Sequence, residues 1–163
     1  MKKLFLIDAY ALIFRFYYAF IGRPMRNADG VNTSAVFGFV RYINEIIRRE
    51  NPHYLGVAFD PPGGNFRHEL FADYKANRGE TPEDIIVSVP YIKEFLEAMR
   101  IPVIEVPGYE ADDVIGTLSR EAAEAGFEVF MVTPDKDYGQ LIRPNVYICL
   151  LYTSPSPRDR SLS

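Results

Sequence analysis

Seven carboxylate side chains of this sequence stand at or just beyond the ends of apolar runs. They are Asp8, Asp60, Glu110, Asp112, Asp113, Asp135 and Asp137. Two unit charges about 5 Å apart at an effective dielectric of about 20 repel by roughly 3 kcal/mol, so seven carboxylates in one crevice need cations among them. Hard oxygen ligands in this number suit Mg²⁺ or Mn²⁺, and paired ions in such sites usually cut or form phosphodiester bonds. We therefore expect a site for two divalent cations.

Alternating strand and helix patterns predict the elements that bring these acids together. Apolar runs predict five strands, at about 4–8, 54–60, 103–106, 128–133 and 146–150. This alternation is typical of an α/β fold with a parallel central sheet and helices on both faces. Neighbouring parallel strands present their carboxyl ends along one edge of the sheet, which is where open α/β sheets bind ligands. We expect the acids to share a crevice there.

Helical spacing of apolar residues predicts the segments between the strands. The first helix follows Asp8 directly, and the second begins at a cap on Thr33 or Ser34 and runs to about Arg49. The apolar positions of this second helix are Val36, Phe37, Val40, Ile43 and Ile47, and the residues that stop it are Asn51 and Pro52.

The later helices are predicted from the same spacing and from their stop signals. Pro90 is expected to kink the helix that precedes the third strand, or to end a turn within it. A helix from Glu110 to Ala125 is expected to end at Gly126 as a left-handed cap. A short helix is expected at about 136–142.

Ordinary helix capping is the alternative explanation for several of the acids. An Asp at a strand end often caps the next helix, which would account for Asp8, and Thr133 with Asp135 could do the same for the short helix. Acids in a first helical turn are favoured by the helix dipole by about 0.3 to 1 kcal/mol each. The three acids at 110–113 exceed that requirement, and no predicted helix begins after Asp60. Their joint placement favours cation binding.

The segment at about 66–81 is polar and basic with interleaved aromatic residues, and it is predicted to project from the sheet as a helical arch. Its candidate contacts to nucleic acid are Arg67, His68, Tyr74, Lys75 and Arg78. Cations beside aromatic rings supply the phosphate neutralisation and the stacking surfaces that single-stranded nucleic acid requires. A solvated charged helix is the alternative. Arg15, on the otherwise apolar first helix, either contacts phosphate or extends its charged end to water.

Length and composition favour one domain. The 163 residues are 48% hydrophobic, enough for a single core, and residues 1–150 are expected to form it. The polar, proline-containing stretch at 151–163 is expected to be disordered and outside the fold. One cysteine excludes an internal disulfide, and no apolar run is long enough for a membrane span, so we expect a soluble, cytoplasmic monomer. The net charge of −4 argues only weakly against nucleic acid, because the acids are concentrated in one cluster.

Four stretches together resemble the N-terminal 5′-nuclease domain of bacterial DNA polymerase I, a member of the flap-endonuclease group. They are LFLIDAYALIFRFYYAF, VAFDPPGGNFRHELFADYKANRGETPEDI, EVPGYEADDVIGTLSREAAEAGFEV and TPDKDYGQL. The resemblance covers about 3–149 and implies a PIN-like fold that cuts DNA at a 5′ flap, nick or overhang during replication and repair. It also implies that the C-terminal part of the domain and the polymerase domains follow in the full protein.

The resemblance implies roles for the candidate residues. The family's acids hold two Mg²⁺ ions, and the matching set here is the seven carboxylates named above, the first four favouring one ion and the last three the other. Lys75 and Arg78 would steer the scissile phosphate, Tyr74 would stack near the displaced nucleotide, and Arg15 would hold phosphate. Two alternatives remain open: a catalytically silent DNA-binding fragment, and a PIN-like single-strand ribonuclease.

Overall fold

The computed structural model describes residues 1–62, 82–133 and 136–149, with the backbone alone at 136 and 137. The predicted arch at 66–81 lies outside the described residues, and so does the predicted tail at 151–163. The expectations for these two segments therefore remain predictions.

The core of the protein is a parallel sheet of five strands in the order β3-β2-β1-β4-β5. The strands are β1 (Lys3–Asp8), β2 (Tyr54–Ala58), β3 (Val103–Ile104), β4 (Glu128–Val132) and β5 (Val146–Cys149). The central strand β1 pairs in parallel with β2 on one side and with β4 on the other. The predicted α/β fold with a parallel sheet is confirmed.

Helices cover both faces of the sheet. They are α1 (Ala9–Ala19), α2 (Ser34–Glu50), α3 (Glu83–Ala98) and α4 (Ala111–Glu124), with a 3₁₀ helix over Lys136–Leu141. Successive residues of a strand point to opposite faces, so Phe5 and Ile7 pack in one core with α1, α2 and α3, while Leu6 packs in a second core with α4. Among the described helices, none is both long and apolar enough to cross a membrane.

Two strands, β2 and β3, are each two residues shorter than predicted. Strand β2 ends at Ala58, so Asp60 lies two residues beyond it, and β3 ends at Ile104. Strand β3 lies at the edge of the sheet and pairs only with β2. Just beyond β2, the N–H of Phe59 donates to the carbonyl of Ile104 at 2.8 Å, and the described part of the chain continues the ladder no further toward Val106.

The buried face of α2 agrees with the predicted one only in part. Its buried residues are Ser34, Ala35, Gly38, Phe39, Ile43 and Ile46. Phe37 is 41% exposed, and Val36, Val40 and Ile47 lie at the flanks of the face. Ile43 is buried as predicted, and Val36 and Ile47 pack against the same core. The pattern of large apolar residues omitted the small buried residues Ala35 and Gly38.

Pro90 does not end its helix. The helix α3 runs continuously from Glu83 to Ala98 with Pro90 inside. Proline has no N–H, so the carbonyl of Ile86 lacks its helical partner. Ile86 and Pro90 are both exposed, which leaves water able to hydrogen-bond to that carbonyl. The expected stop at Gly126 is confirmed by its φ of 97°.

Gly38 is required for the close contact between α2 and α1. A Cβ atom at Gly38 would lie 2.6 Å from Cγ and 2.8 Å from Cβ of Phe16, atoms that cannot move without the whole ring. Alanine gains about 1 kcal/mol in helix propensity over glycine, but overpacking of this kind costs about 1–3 kcal/mol. We expect Gly38→Ala to lower the free energy of unfolding in urea by up to about 2 kcal/mol.

Gly116→Ala is the matched control, because Gly116 also lies inside a helix, α4. Its added Cβ would meet only the flexible end of Leu141, at 3.3 Å and 3.4 Å. We expect this variant to be as stable as the unsubstituted chain or slightly more so. Equal losses at the two sites would contradict the argument from packing.

Candidate metal centre

The predicted acids gather at the carboxyl edge of the sheet, beside β1. The chain passes from β1 to β2 on one side and reaches β4 on the other, so a crevice opens at this point of the edge. Asp8 is the last residue of β1, and Asp60 follows β2. Their side chains are only 2% and 1% exposed.

Asp8 is held by two hydrogen bonds. As the N-cap of α1, its Oδ1 accepts from the backbone N–H of Ala11 at 3.3 Å. Its Oδ2 accepts from the hydroxyl of Tyr138 at 2.7 Å. Asp8 is therefore a helix cap and also a member of the acidic cluster, and the two explanations offered for it are compatible.

Asp60 joins β2 to the start of α4. Its Oδ1 accepts from the backbone N–H of Ala111 at 2.8 Å, across 51 residues of sequence. Glu110 is the N-cap residue of α4 and makes no capping hydrogen bond with its own side chain. The carboxylate of Asp60 therefore binds an N–H at the start of α4, which fixes this helix beside β1 and β2.

The first turn of α4 supplies the remaining acids of the described site. Glu110, Asp112 and Asp113 each offer one carboxylate oxygen, and these three oxygens lie within 4.8 Å of one another. Glu110 and Asp112 are half-buried, whereas Asp113 is exposed. The positive ends of the α1 and α4 dipoles also face this cluster, which favours carboxylates there.

Charge crowding in the cluster is strong enough to affect protonation. Burial, followed by the charge of Asp60 and to a smaller extent that of Asp112, raises the pKa of Asp8 from 3.8 to about 7, against the lowering effect of the hydrogen bonds from Tyr138 and Ala11. A cation among these oxygens would remove both the repulsion and the need for a proton. The donor set is all oxygen and several times negative, which fits a hard divalent cation.

The structure places some of the predicted site residues and not others. It brings together Asp8, Asp60, Glu110, Asp112 and Asp113. Arg15 lies half-buried on α1, about two turns beyond Asp8. Outside the described residues or side chains lie Arg67, His68, Tyr74, Lys75, Arg78, Asp135 and Asp137.

Tyr138 is a site residue that the sequence patterns did not single out. It is 3% exposed, and burial, followed by the charge of Asp8, raises the pKa of its hydroxyl well above the ordinary range. The available signal was weak: a tyrosine inside the polar segment DKDYGQ, one residue after Asp137. A buried tyrosine usually finds a hydrogen-bond partner for its hydroxyl, but its sequence does not say which one.

Comparison with known proteins agrees with this architecture. The family described as "5'-3' exonuclease, N-terminal resolvase-like domain" matches residues 3–160. A 5'-3' exonuclease of Aquifex aeolicus (strain VF5) is 40% identical over 148 residues, and a DNA polymerase I of Bacillus caldotenax is 43% identical over 148 residues. A bacteriophage T5 flap endonuclease, solved in complex with DNA and metal ions, has a TM-score of 0.57 at 19% identity, which shows a shared fold.

The matches cover most of this chain but only part of the relatives. The Aquifex match covers 91% of this chain and 50% of the relative, and the Bacillus match covers 90% of this chain and 16% of the relative. The T5 match covers 91% of this chain and 55% of that chain. Because the family match extends over nearly the whole sequence, the chain belongs to the family of 5'-3' exonuclease N-terminal, resolvase-like domains.

Proposed function

We propose that this chain is the catalytic part of a 5′-3′ exonuclease and flap endonuclease that hydrolyses DNA phosphodiesters with the help of two divalent cations, Mg²⁺ or Mn²⁺. The observation that carries the proposal is the convergence of Asp8, Asp60 and Asp112 at one edge of the sheet, where burial and then the charges of Asp60 and Asp112 raise the pKa of Asp8 to about 7. Repulsion between buried carboxylates destabilises a fold, and a bound cation offsets this cost. Membership of the exonuclease family supports the same reaction.

The acids of the described site would hold the cations. Asp8, Asp60, Glu110 and Asp112 would favour one ion, while Asp113 would lie near both. Asp135 and Asp137, which follow β4, would complete the second set. When bound, divalent cations acidify water and neutralise charge on the oxygens of a phosphodiester.

Basic and aromatic residues would bind and orient the DNA. Lys75 and Arg78 would offset the negative charge that develops on the scissile phosphate. Tyr74 would stack on a base of the displaced strand, with Arg67 and His68 nearby on the same segment. Arg15 would neutralise phosphate from α1.

The relatives suggest the setting of this activity. A polymerase relative carries the matching region as a small part of a longer chain, and we propose the same arrangement here, with polymerase domains beyond the nuclease. The substrate would be DNA with a 5′ flap, a nick or an overhang, met during replication and repair in the cytoplasm. The nuclease part would act as a monomer.

Cleavage of a labelled branched DNA tests the proposed function. The 163-residue chain is incubated with a 5′-flapped duplex and with a matched RNA single strand, in Mg²⁺, in Mn²⁺ and in EDTA. We expect short 5′ products from the flap in either metal and none in EDTA. Binding of the flap without any product would instead support a silent DNA-binding fragment, and preferential cleavage of the RNA would support a ribonuclease.

A further inference from the structure

Tyr138 connects the segment between β4 and β5 to the acidic cluster. It belongs to the 3₁₀ helix Lys136–Leu141, and its ring packs in the core beneath α4 with Ala111 and Ile115. Its hydroxyl emerges from this core directly at Asp8, to whose Oδ2 it donates at 2.7 Å. The contact joins residues 130 apart in sequence, so the fold of both core layers determines it.

The two oxygens of Asp8 are held from different elements. Oδ1 accepts from Ala11 of α1 at 3.3 Å, a long hydrogen bond, while Oδ2 accepts the short one from Tyr138. Each carboxylate oxygen has two lone pairs, so each can still accept one more partner. The carboxylate is thus fixed in orientation while capacity for a cation remains.

The carboxylate of Asp8 must be held in place because charges of the same sign lie beside it. Asp60 and Asp112 both act on Asp8 with the same sign of charge, and repulsion of this kind drives the carboxylate to rotate away from them. Of the two hydrogen bonds that the described residues make to Asp8, the long bond to Ala11 would alone oppose that rotation if the Tyr138 hydroxyl were removed. The residues that hold a metal-ligating side chain in place commonly affect metal affinity about 10–100-fold.

We propose that Tyr138 is a positioning residue that holds the carboxylate of Asp8 toward the cation site. This inference rests on the proposed function, because it assumes that Asp8 is a metal ligand. Tyr138 touches neither the cation nor the DNA in this role and acts only through Asp8. The competing explanation is that the hydrogen bond merely stabilises the fold.

Two variants that each lose one buried hydroxyl separate these explanations. Tyr138→Phe removes the hydroxyl and keeps the ring in the core. Tyr42→Phe is the matched control, since the Tyr42 hydroxyl is also buried but belongs to the core of α1, α2 and α3. Mn²⁺ affinity of the full chain is measured by titration with electron paramagnetic resonance at one pH, and thermal unfolding is measured without metal.

We expect the Kd for Mn²⁺ to rise about tenfold in Tyr138→Phe and to stay unchanged in Tyr42→Phe. An unchanged Kd in Tyr138→Phe, with a lower melting temperature in the absence of metal, would show a purely structural bond and overturn the inference. If Tyr138→Phe does not unfold cooperatively, Tyr138→Met fills the same space without a hydroxyl and is expected to show the same tenfold rise. Absence of Mn²⁺ binding by the unsubstituted chain would refute the proposed cation site itself, and the inference with it.

Discussion

Asp112→Ala is expected to reduce the cleavage of 5′-flapped DNA at least about 100-fold while leaving the affinity for the DNA nearly unchanged. Asp112 lies in the first turn of α4, where its carboxylate acts on Asp8 and its oxygen lies within 4.8 Å of oxygens of Glu110 and Asp113. Charge stabilisation by bound metal ions is worth several kcal/mol in such reactions, and each 1.36 kcal/mol is a factor of ten in rate. Single-turnover cleavage and a filter-binding assay in Ca²⁺ measure the two quantities.

Glu124→Ala is the matched control for Asp112→Ala. Glu124 lies at the other end of the same helix, is exposed, and carries the same charge. Its removal changes the net charge of the chain equally and leaves the acidic cluster intact. Equal rates for the two variants would mean that Asp112 has no part in the reaction, and a parallel loss of DNA binding would mean that it acts on the substrate instead.

Asp112→Ala is expected to raise the free energy of unfolding of the metal-free chain, although it lowers the activity. Asp112 contributes to the repulsion that raises the pKa of Asp8. Removing one of the crowded charges relieves that repulsion in the absence of cations. The repulsion among the acids therefore lowers the free energy of unfolding of the metal-free chain, as expected for acids arranged around a cation, and urea unfolding in EDTA measures the gain in Asp112→Ala.

The sequence was sufficient to predict the sheet and the part of the site that follows it. Asp8 and Asp60 stand at or near the ends of two apolar runs. If these runs form neighbouring parallel strands, the two acids must lie at the same edge of the sheet, and the observed pairing of β1 with β2 meets this condition. The acids at the start of α4 were predictable for the same reason, because this helix follows the edge strand β3. The periods of two and of 3.6 residues in the apolar pattern are therefore enough to predict the strands, the helices and the acids at their ends.

The contacts that orient the acids were not predictable. Asp60 was expected to have no capping role because no helix follows it, yet it binds the first N–H of α4, and Tyr138 reaches Asp8 across 130 residues. Such contacts depend on the strand order, in which β4 lies next to β1, and this order is set by packing of the two cores rather than by any local pattern. Gly38 was omitted from the buried face of α2 for a related reason, since the need for glycine there comes from its contact with the ring of Phe16.

The stability of the metal-free chain is expected to fall as the pH rises from about 4 to about 7, because of Asp8. The pKa of Asp8 is raised from its ordinary 3.8 to about 7, first by burial and then by Asp60. The folded state therefore favours the neutral form, so the stabilisation is complete below pH 4 and is lost as the pH rises through 7. The difference between these two pKa values corresponds to about 4 kcal/mol.

Asp8→Asn tests this effect, because the variant cannot ionise at this position. Urea unfolding of both proteins in EDTA between pH 4 and pH 8 is expected to show the unsubstituted chain losing about 4 kcal/mol more than Asp8→Asn over this range. With 10 mM Mg²⁺, the unsubstituted chain is expected to gain stability relative to Asp8→Asn as the pH rises. The reason is that the cation binds the ionised carboxylate of Asp8, which the variant lacks. Parallel pH profiles of the two proteins without metal would show that neither burial nor the charge of Asp60 disfavours the ionised form of Asp8 in the fold, which would contradict the charge crowding inferred at this edge of the sheet.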